Sequence, residues 1–295
     1  MNEEAPHIVP TGLSPTRLSD YLQGKLVGIT SRKGIRKAIQ RGEIKVNGQS
    51  SSTGYWVQAG DHILYDPMAQ SQGKVFPLKF PVVFEDEHLA VVNKPAGFPV
   101  SGNRFRSIQQ ALPHNLKISP LTSALPWPLP VHRLDSPTSG LLVVAKTRPT
   151  RIALGEALAQ RKVQKTYQAL VHGKIAAQQG RMEQALDEKE AITTYEVLAQ
   201  VPSLRQGYVS WLKLKPLTGR THQIRRHLAG LGHPILGDGQ YASGQTIRHQ
   251  GLFLCATQLE FAHPATDQVL KLEIEPPYKF SRRMRREEER YLRNR

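Results

Sequence analysis

The chain has 295 residues, 39% of them hydrophobic, enough for a buried core in one large domain and a smaller one. Its 40 Lys and Arg against 24 Asp and Glu leave a formal net charge of +16, which points to a polyanionic partner, nucleic acid first. A single cysteine, Cys255, excludes an internal disulfide and a cysteine-built zinc cluster; the start Met1-Asn2-Glu3-Glu4 does not read as a secretory leader, and no run approaches the roughly 20 apolar residues of a membrane helix, so a cytoplasmic protein is expected.

Residues 1–13 read as loose. Residues 16–22 read as a short helix. Thr30 or Ser31 can cap a second helix over 32–40, which Gly42 ends. Ile35, Ala38 and Ile39 fall at the i, i+3, i+4 spacing of one face, and Arg32, Lys33, Arg36, Lys37 and Arg41 take the others. Residues 43–46 alternate as a strand should, Asn47-Gly48 is a hairpin signal, and Val57, Gly60-Asp61 and Ile63 suggest a closing strand and turn. A basic helix beside a small sheet fits a phosphate reader; it also fits a solvated helix face.

Residues 67–80, with Pro67, Gly73, Pro77 and several Gln and Ser, suit a linker. Strand-like runs at 82–84 and 88–92 flank the acidic turn Glu85-Asp86-Glu87, and the loop Asn93-Lys94-Pro95-Ala96-Gly97 follows. Residues 113–130 read as a long surface loop. Then comes the most informative stretch, 132–146, where Asp135 sits inside a tight polar turn that runs straight into an apolar strand at 141–145. An acid at the mouth of a rigid strand is held still, as a catalytic group must be. Helices are expected at 150–161 and 221–231 and strands at 165–171 and 208–215. The run from Arg282 to Arg290 reads as a charged helix with Arg283 and Glu287 at i, i+4, suited to touching RNA or to forming a solvated tail. Helices and strands do not alternate regularly. That favours an α+β fold, with a mixed, mainly antiparallel sheet, flanking helices and a central cleft, beside a small N-terminal α/β domain.

Three segments could converge on one site: the Asp135 turn, the strand carrying Tyr167, and the turn and helix from Leu217 to Leu228. Helical side chains lean toward the N-terminus, so Arg225, one turn in, can reach back to a carboxylate. An Arg partner favours the ionised acid, but the same pair would serve as a structural salt bridge, and a strand tyrosine suits a core as well as a site. His132, His222, His227 and His233 raise a metal site; His222 and His227 are five apart rather than four and no carboxylate follows the first, so no metal is expected. No phosphate-cradling Gly-rich loop is present, and Ser139 lacks an elbow motif, so nucleotide hydrolysis and serine hydrolysis are poor readings.

In order, Thr16-Arg17-Leu18, Ser31-Arg32, Ile44-Lys45-Val46-Asn47-Gly48 and Gly60-Asp61 resemble the short RNA-binding domain named after ribosomal protein S-four. His132-Arg133-Leu134-Asp135 with Thr138-Ser139-Gly140-Leu141-Leu142 closely resembles the signature of RNA pseudouridine synthases of the RluA and RsuA type. The segments 85–97, 165–173 and 219–238 resemble further motifs of the RluA branch, and the resemblance spans about 81–275. It implies an RNA-binding domain at 1–66, a linker at 67–80, a catalytic domain at 81–280 and a basic tail at 281–295.

The activity it implies is an isomerisation: the bond from the uracil nitrogen to the ribose breaks, the base turns, and ring carbon five rejoins the sugar. No cofactor and no metal are needed. Asp135 matches the catalytic aspartate, acting as a nucleophile on the sugar or the base, or as a base leading to a glycal. Arg225 matches the arginine that pairs with it, and Tyr167 the residue that stacks on the target uracil and can take part in proton transfer. Arg133 is suited to holding phosphate or splaying the strand. The uridine must leave its stack, so loops and bulges are favoured. The implied partner is RNA, ribosomal before transfer, with no membrane, and the chain is expected to be a monomer. A non-catalytic RNA-binding or ribosome-assembly factor on the same fold is the alternative, opposed by the intact Asp135, Tyr167 and Arg225. An enzyme of free nucleosides fits poorly with a net charge of +16.

Overall fold

In a computed structural model that describes residues 7–26, 29, 31–66, 75–102, 104–242 and 251–294, the basic helix begins and ends where its caps put it. The first of two units contains β1 (His7–Ile8), α1 (Leu18–Tyr21), α2 (Arg32–Gln40), β2 (Ile44–Val46), β3 (Gln49–Ser50) and β4 (His62–Tyr65). Ser31 Oγ accepts the Gly34 N–H at 3.1 Å, and Gly42 leaves the helix with φ +74°. Ile35, Ala38 and Ile39 are buried against Leu18, Leu22, Ile44 and Ile63. Asn47 (φ +52°) and Gly48 (φ +79°) are both left-handed, the geometry of a two-residue hairpin turn between β2 and β3. Buried Asp61 accepts from Asn47 (2.8 Å), Tyr55 (2.9 Å) and the Gln58 N–H (2.8 Å). Burial alone would raise its carboxyl; those hydrogen bonds hold it below the ordinary range.

The antiparallel sheet runs β1-β4-β2-β3. The expectation of a loose start is corrected at His7–Ile8, whose backbone pairs with β4 as an edge strand. Two residues are too few for any periodicity to signal. Thr30 and most of the expected linker, 67–74, lie outside the described residues.

The second unit contains β5 (Val82–Glu85), β6 (Leu89–Lys94), α3 (Ile108–Asn115), the two ends of β7 (Ala124–Pro130, of which Leu125–Trp127 group with the first unit), β8 (Ser139–Thr147), α4 (Arg148–Ala159), β9 (Gln164–His172), β10 (Gln179–Met182), β11 (Thr193–Ser203), β12 (Gly207–Pro216), α5 (Gln223–Gly230), β13 (Leu254–Ala262), β14 (Val269–Glu273) and α6 (Lys279–Arg293). One ten-stranded sheet follows the path β10-β11-β12-β9-β13-β8-β6-β5, with β14 on β13 and β7 on β8. Every pairing is antiparallel except β13 with β8, so the sheet is mixed and mainly antiparallel, as the irregular element order implied. All nine residues of β8 are buried, which a continuous apolar run at the middle of a sheet requires. Separate cores lie around Leu212 and Phe253 and around Val92 and Leu142. Tyr167 packs against both.

Three readings change. Residues 113–130 are not one loop: α3 runs to Asn115, and 124–130 form β7. Its prolines hide a strand that pairs with β8 only at Ala124, Leu129 and Pro130, where few N–H donors are needed. Residues 75–80 belong to the second unit rather than to a linker. Phe76, Leu78 and Phe80 pack inward at alternate positions, and Asn115 bonds the Phe80 N–H (3.0 Å) and the Leu78 carbonyl (2.8 Å). The C-terminal basic segment is a docked helix, not a free tail. Phe280 and Met284 enter the core, and Glu287, paired with Arg283 at 2.7 Å, accepts the Ser203 hydroxyl at 2.6 Å. Among the described residues no helix is long and apolar enough to cross a membrane.

Candidate active site

The turn before β8 is fastened from below by a lysine. Lys94, fully buried at the end of β6, donates to the carbonyls of Pro95 (3.0 Å), Ser136 (3.1 Å) and Thr138 (2.6 Å). Burial draws its ammonium down to about 8, opposed by the charge of Asp135. The Gly97 N–H donates to the Ser136 carbonyl (2.8 Å), and the Thr138 N–H closes the turn on the Asp135 carbonyl (3.0 Å). His132 Nε2 accepts the Val143 N–H at 3.1 Å. Burial, reinforced by Lys165, pulls that imidazole down to about 4, so it stands neutral as an acceptor. Leu134 is buried beside Leu142, leaving its neighbour Asp135 to face the cavity. Gly140 (φ +115°) lies flat on β13; a Cβ there would meet the Ala256 carbonyl oxygen at 2.2 Å.

A second segment supplies the cation. Gln223, at the start of α5, ties its own turn together: its side-chain oxygen accepts from Thr218 (2.7 Å) and the Arg220 N–H (3.0 Å), and its amide donates to the Ile192 carbonyl (2.9 Å). Two residues on, Arg225 is only 6% exposed. Its Nη1 stands 3.5 Å from Asp135 Oδ2. Its stronger bonds go elsewhere, to buried Asp238 through Nε (2.7 Å) and Nη2 (2.8 Å), and its guanidinium lies over Tyr241 at 4.9 Å. Asp238 also accepts the N–H groups of Gln240 (3.1 Å) and Tyr241 (3.2 Å). Burial would raise the Asp238 carboxyl; Arg225 and these donors hold it below the ordinary range, and Arg225 is raised in return. The expected Asp135–Arg225 pair is therefore part of a three-member chain, Asp135–Arg225–Asp238.

The third segment is β9. Tyr167 lines the same cavity as Asp135 and Arg225. Burial first, then the charge of Asp135, pushes its phenol far above the ordinary value. The cavity has a volume of about 860 Å³, ample for an extruded nucleotide, and Arg133 stands exposed on its lining. His222 also lines it, with Nε2 3.7 Å from Asp135 Oδ1.

The other cations named from sequence lie on the first unit. Arg32 is bonded to Asp20 (2.9 Å) and Arg41 to Glu43 (2.6 and 2.7 Å), so two of the five serve intradomain pairs. Lys33, Arg36 and Lys37 are exposed, and among the described residues no carboxylate pairs with them. Sequence reasoning missed Asp238, Tyr241 and the roles of Lys94 and His222. The first two lie in the stretch beyond α5, where no spacing rule links a loop carboxylate to a helical arginine.

With this geometry in place, likeness to known proteins becomes informative. Residues 88–230 match the family model described as RNA pseudouridylate synthase. The chain is 31% identical over 292 residues to the ribosomal large subunit pseudouridine synthase C of Escherichia coli (strain K12), covering 87% of this chain and 88% of that one. The chain belongs to the RNA pseudouridylate synthase family. This synthase is also 30% identical over 266 residues to the RNA pseudouridine synthase YhcT of Bacillus subtilis (strain 168), covering 84% of this chain and 86% of the relative. A solved human structure, RNA pseudouridylate synthase domain containing 1, superposes with a TM-score of 0.57 at 26% identity, covering 70% of this chain and 87% of its own. The synthase is thus an isomerase that converts uridine in RNA to pseudouridine, on the mixed α+β fold expected of it.

Proposed function

We propose that this synthase modifies ribosomal RNA, with Asp135 as its catalytic carboxylate, Arg225 as the countercharge and Tyr167 as the platform for the extruded uracil. The reading rests on one observation: three side chains from distant segments face one cavity of nucleotide size, with Asp135 and Arg225 3.5 Å apart. In the reaction the N1–C1′ bond breaks and the C5–C1′ bond forms. The hydrogen on C5 leaves as a proton, and N1 gains one, so nothing is oxidised. Asp135 serves either by attacking sugar or base or by taking a sugar proton; each version needs a carboxylate held in place. Tyr167 offers a face on which a base gains on the order of 1–3 kcal/mol by stacking. Its phenol, raised by burial, keeps its proton and can offer it as a hydrogen-bond donor, while being a weaker acid than a free tyrosine.

Ribosomal RNA is preferred to transfer RNA because the Escherichia coli relative is named for the large ribosomal subunit. The small basic domain, with Lys33, Arg36 and Lys37 exposed, supports a structured RNA with dense phosphate, and Arg133 on the cavity lining is suited to the phosphates flanking the uridine.

Asp135→Ala should abolish product while leaving RNA affinity nearly unchanged. Release of tritium from C5 of labelled uridine measures it, and equal release by the variant would remove Asp135 from the chemistry. Mapping pseudouridines in total RNA with and without the synthase identifies the target. A gain confined to transfer RNA would overturn the ribosomal assignment.

A further inference from the structure

The two oxygens of Asp135 face different partners. Oδ2 faces Arg225 at 3.5 Å, and Oδ1 faces His222 Nε2 at 3.7 Å. The other nitrogen of that imidazole, Nδ1, is bonded to the Tyr241 hydroxyl at 2.9 Å, with the two rings edge to face. If the phenol donates to Nδ1, the remaining proton of a neutral imidazole sits on Nε2 and points at Asp135. The chain Tyr241 O–H to Nδ1, then Nε2–H to Oδ1, leaves each group with a role it can fill. The distance of 3.7 Å is longer than a hydrogen bond, so the imidazole orients Oδ1 by electrostatic attraction across a close polar contact.

The backbone adds an independent argument. His222 precedes α5 with φ +54° and ψ +26°, a left-handed conformation uncommon outside Gly, which Asn, Asp and His enter more readily than other residues. Its side chain caps nothing in the helix that follows. What cost the conformation carries is offset by its surroundings: the imidazole is bonded to Tyr241 at one nitrogen and faces Asp135 with the other. Tyr241 is itself fixed: its N–H is bonded to Asp238 and its ring lies under Arg225. The two partners of Asp135 are therefore joined behind it by one scaffold, Asp238 and Tyr241.

We propose that His222, oriented by Tyr241, is a positioning residue that sets the rotation of the Asp135 carboxylate. Arg225 alone would leave the carboxylate free to turn about its last bond. A second donor on the other oxygen fixes which lone pair meets the sugar. The inference rests on the proposed role of Asp135.

Four variants test it: His222→Ala, His222→Asn, Tyr241→Phe and the double change His222→Ala with Tyr241→Phe. Asn accepts the left-handed backbone and keeps N–H donors, so it separates lost chemistry from lost folding. Tyr241→Phe keeps the ring beneath Arg225 and removes only the hydroxyl. His222→Ala should lower kcat on the order of 10- to 100-fold, as a misplaced reacting group does, with KM and RNA affinity unchanged. His222→Asn should restore a substantial part of kcat. Tyr241→Phe should lower kcat by less, and the double variant should match His222→Ala, because the hydroxyl acts only through the imidazole.

Wild-type kcat in His222→Ala, or additive losses in the double variant, would overturn the proposal. So would a loss seen in KM alone. Asp135→Ala assayed alongside keeps the two readings apart. If it is inactive while His222→Ala is fully active, only the positioning role fails; if it stays active, the assignment of Asp135 itself fails.

Discussion

At the scale of single residues, burial decides which groups can titrate. His132, His172 and His227 all sit below the ordinary imidazole value of 6.5, chiefly because burial opposes their charge, and His132 is pulled to about 4. Lys165 reinforces the effect on His132, Arg283 on His172 and Arg226 on His227. A histidine kept neutral in the fold takes up a proton sooner once unfolded. Between pH 6.5 and about 4 the unfolded chain therefore binds protons that the fold refuses, and stability falls as pH falls. Urea midpoints should drop across that window. In His132→Gln, which still offers an acceptor to the Val143 N–H, the drop should be smaller; an undiminished drop would show that His132 is not among the groups responsible. The same imidazole, read from sequence, was one of four candidates for a metal. Its acceptor bond to the strand it precedes gives it a different purpose, holding the turn that carries Asp135.

At the scale of elements, much of the architecture was legible because local chemistry dictated it. The helix at 32–40 has a Ser cap, a closing Gly and one apolar face, and it begins and ends at those limits. The strand at 141–145 is apolar throughout and lies at the middle of the sheet, extended to Ser139–Thr147 by polar residues that burial would not have suggested. The Asp135, Tyr167 and Arg225 segments were legible as segments, and their meeting depends on pairings such as Tyr167 with Ala256 that no single window contains. What stayed hidden was long-range or masked by composition. β7 is Pro-rich, the inward face of α6 is two apolar residues among arginines, and Asp238 reaches Arg225 from a loop. The parallel pairing of β8 with β13 was equally invisible, although it explains Gly140. Gly140→Ala would set a methyl group 2.2 Å from the Ala256 carbonyl oxygen on a backbone with φ +115°. Two central strands would have to part, at a cost above about 4 kcal/mol, which few single changes reach. Denaturant unfolding measures it, and near-normal stability would mean that the strands can separate cheaply there.

At the scale of the whole molecule, a charge of +16 is shared between a large unit and a small unit with its own core. Binding and chemistry are therefore separable in principle. Deleting residues 1–66 should weaken binding to structured RNA more than it slows turnover of a short substrate. Changing Lys33, Arg36 and Lys37 together to Ala should leave kcat alone and reduce the slope of log affinity against log salt by roughly 2–3, since each phosphate contact releases about 0.7–0.9 of a counterion. An unchanged slope would remove that helix face from the RNA interface. The large unit has a different character. Asp135, the proposed acid, lies in a turn outside any strand, but that turn leads straight into β8, is tied by Lys94 at the end of β6, and is followed by Gly140 packed against β13. Segments with independent local opening are those with few buried contacts, and this one has the opposite. Moving Asp135 means breaking the bonds that Lys94 makes to this turn and its junction with β8, so the proposed acid should hold its place in conditions short of unfolding.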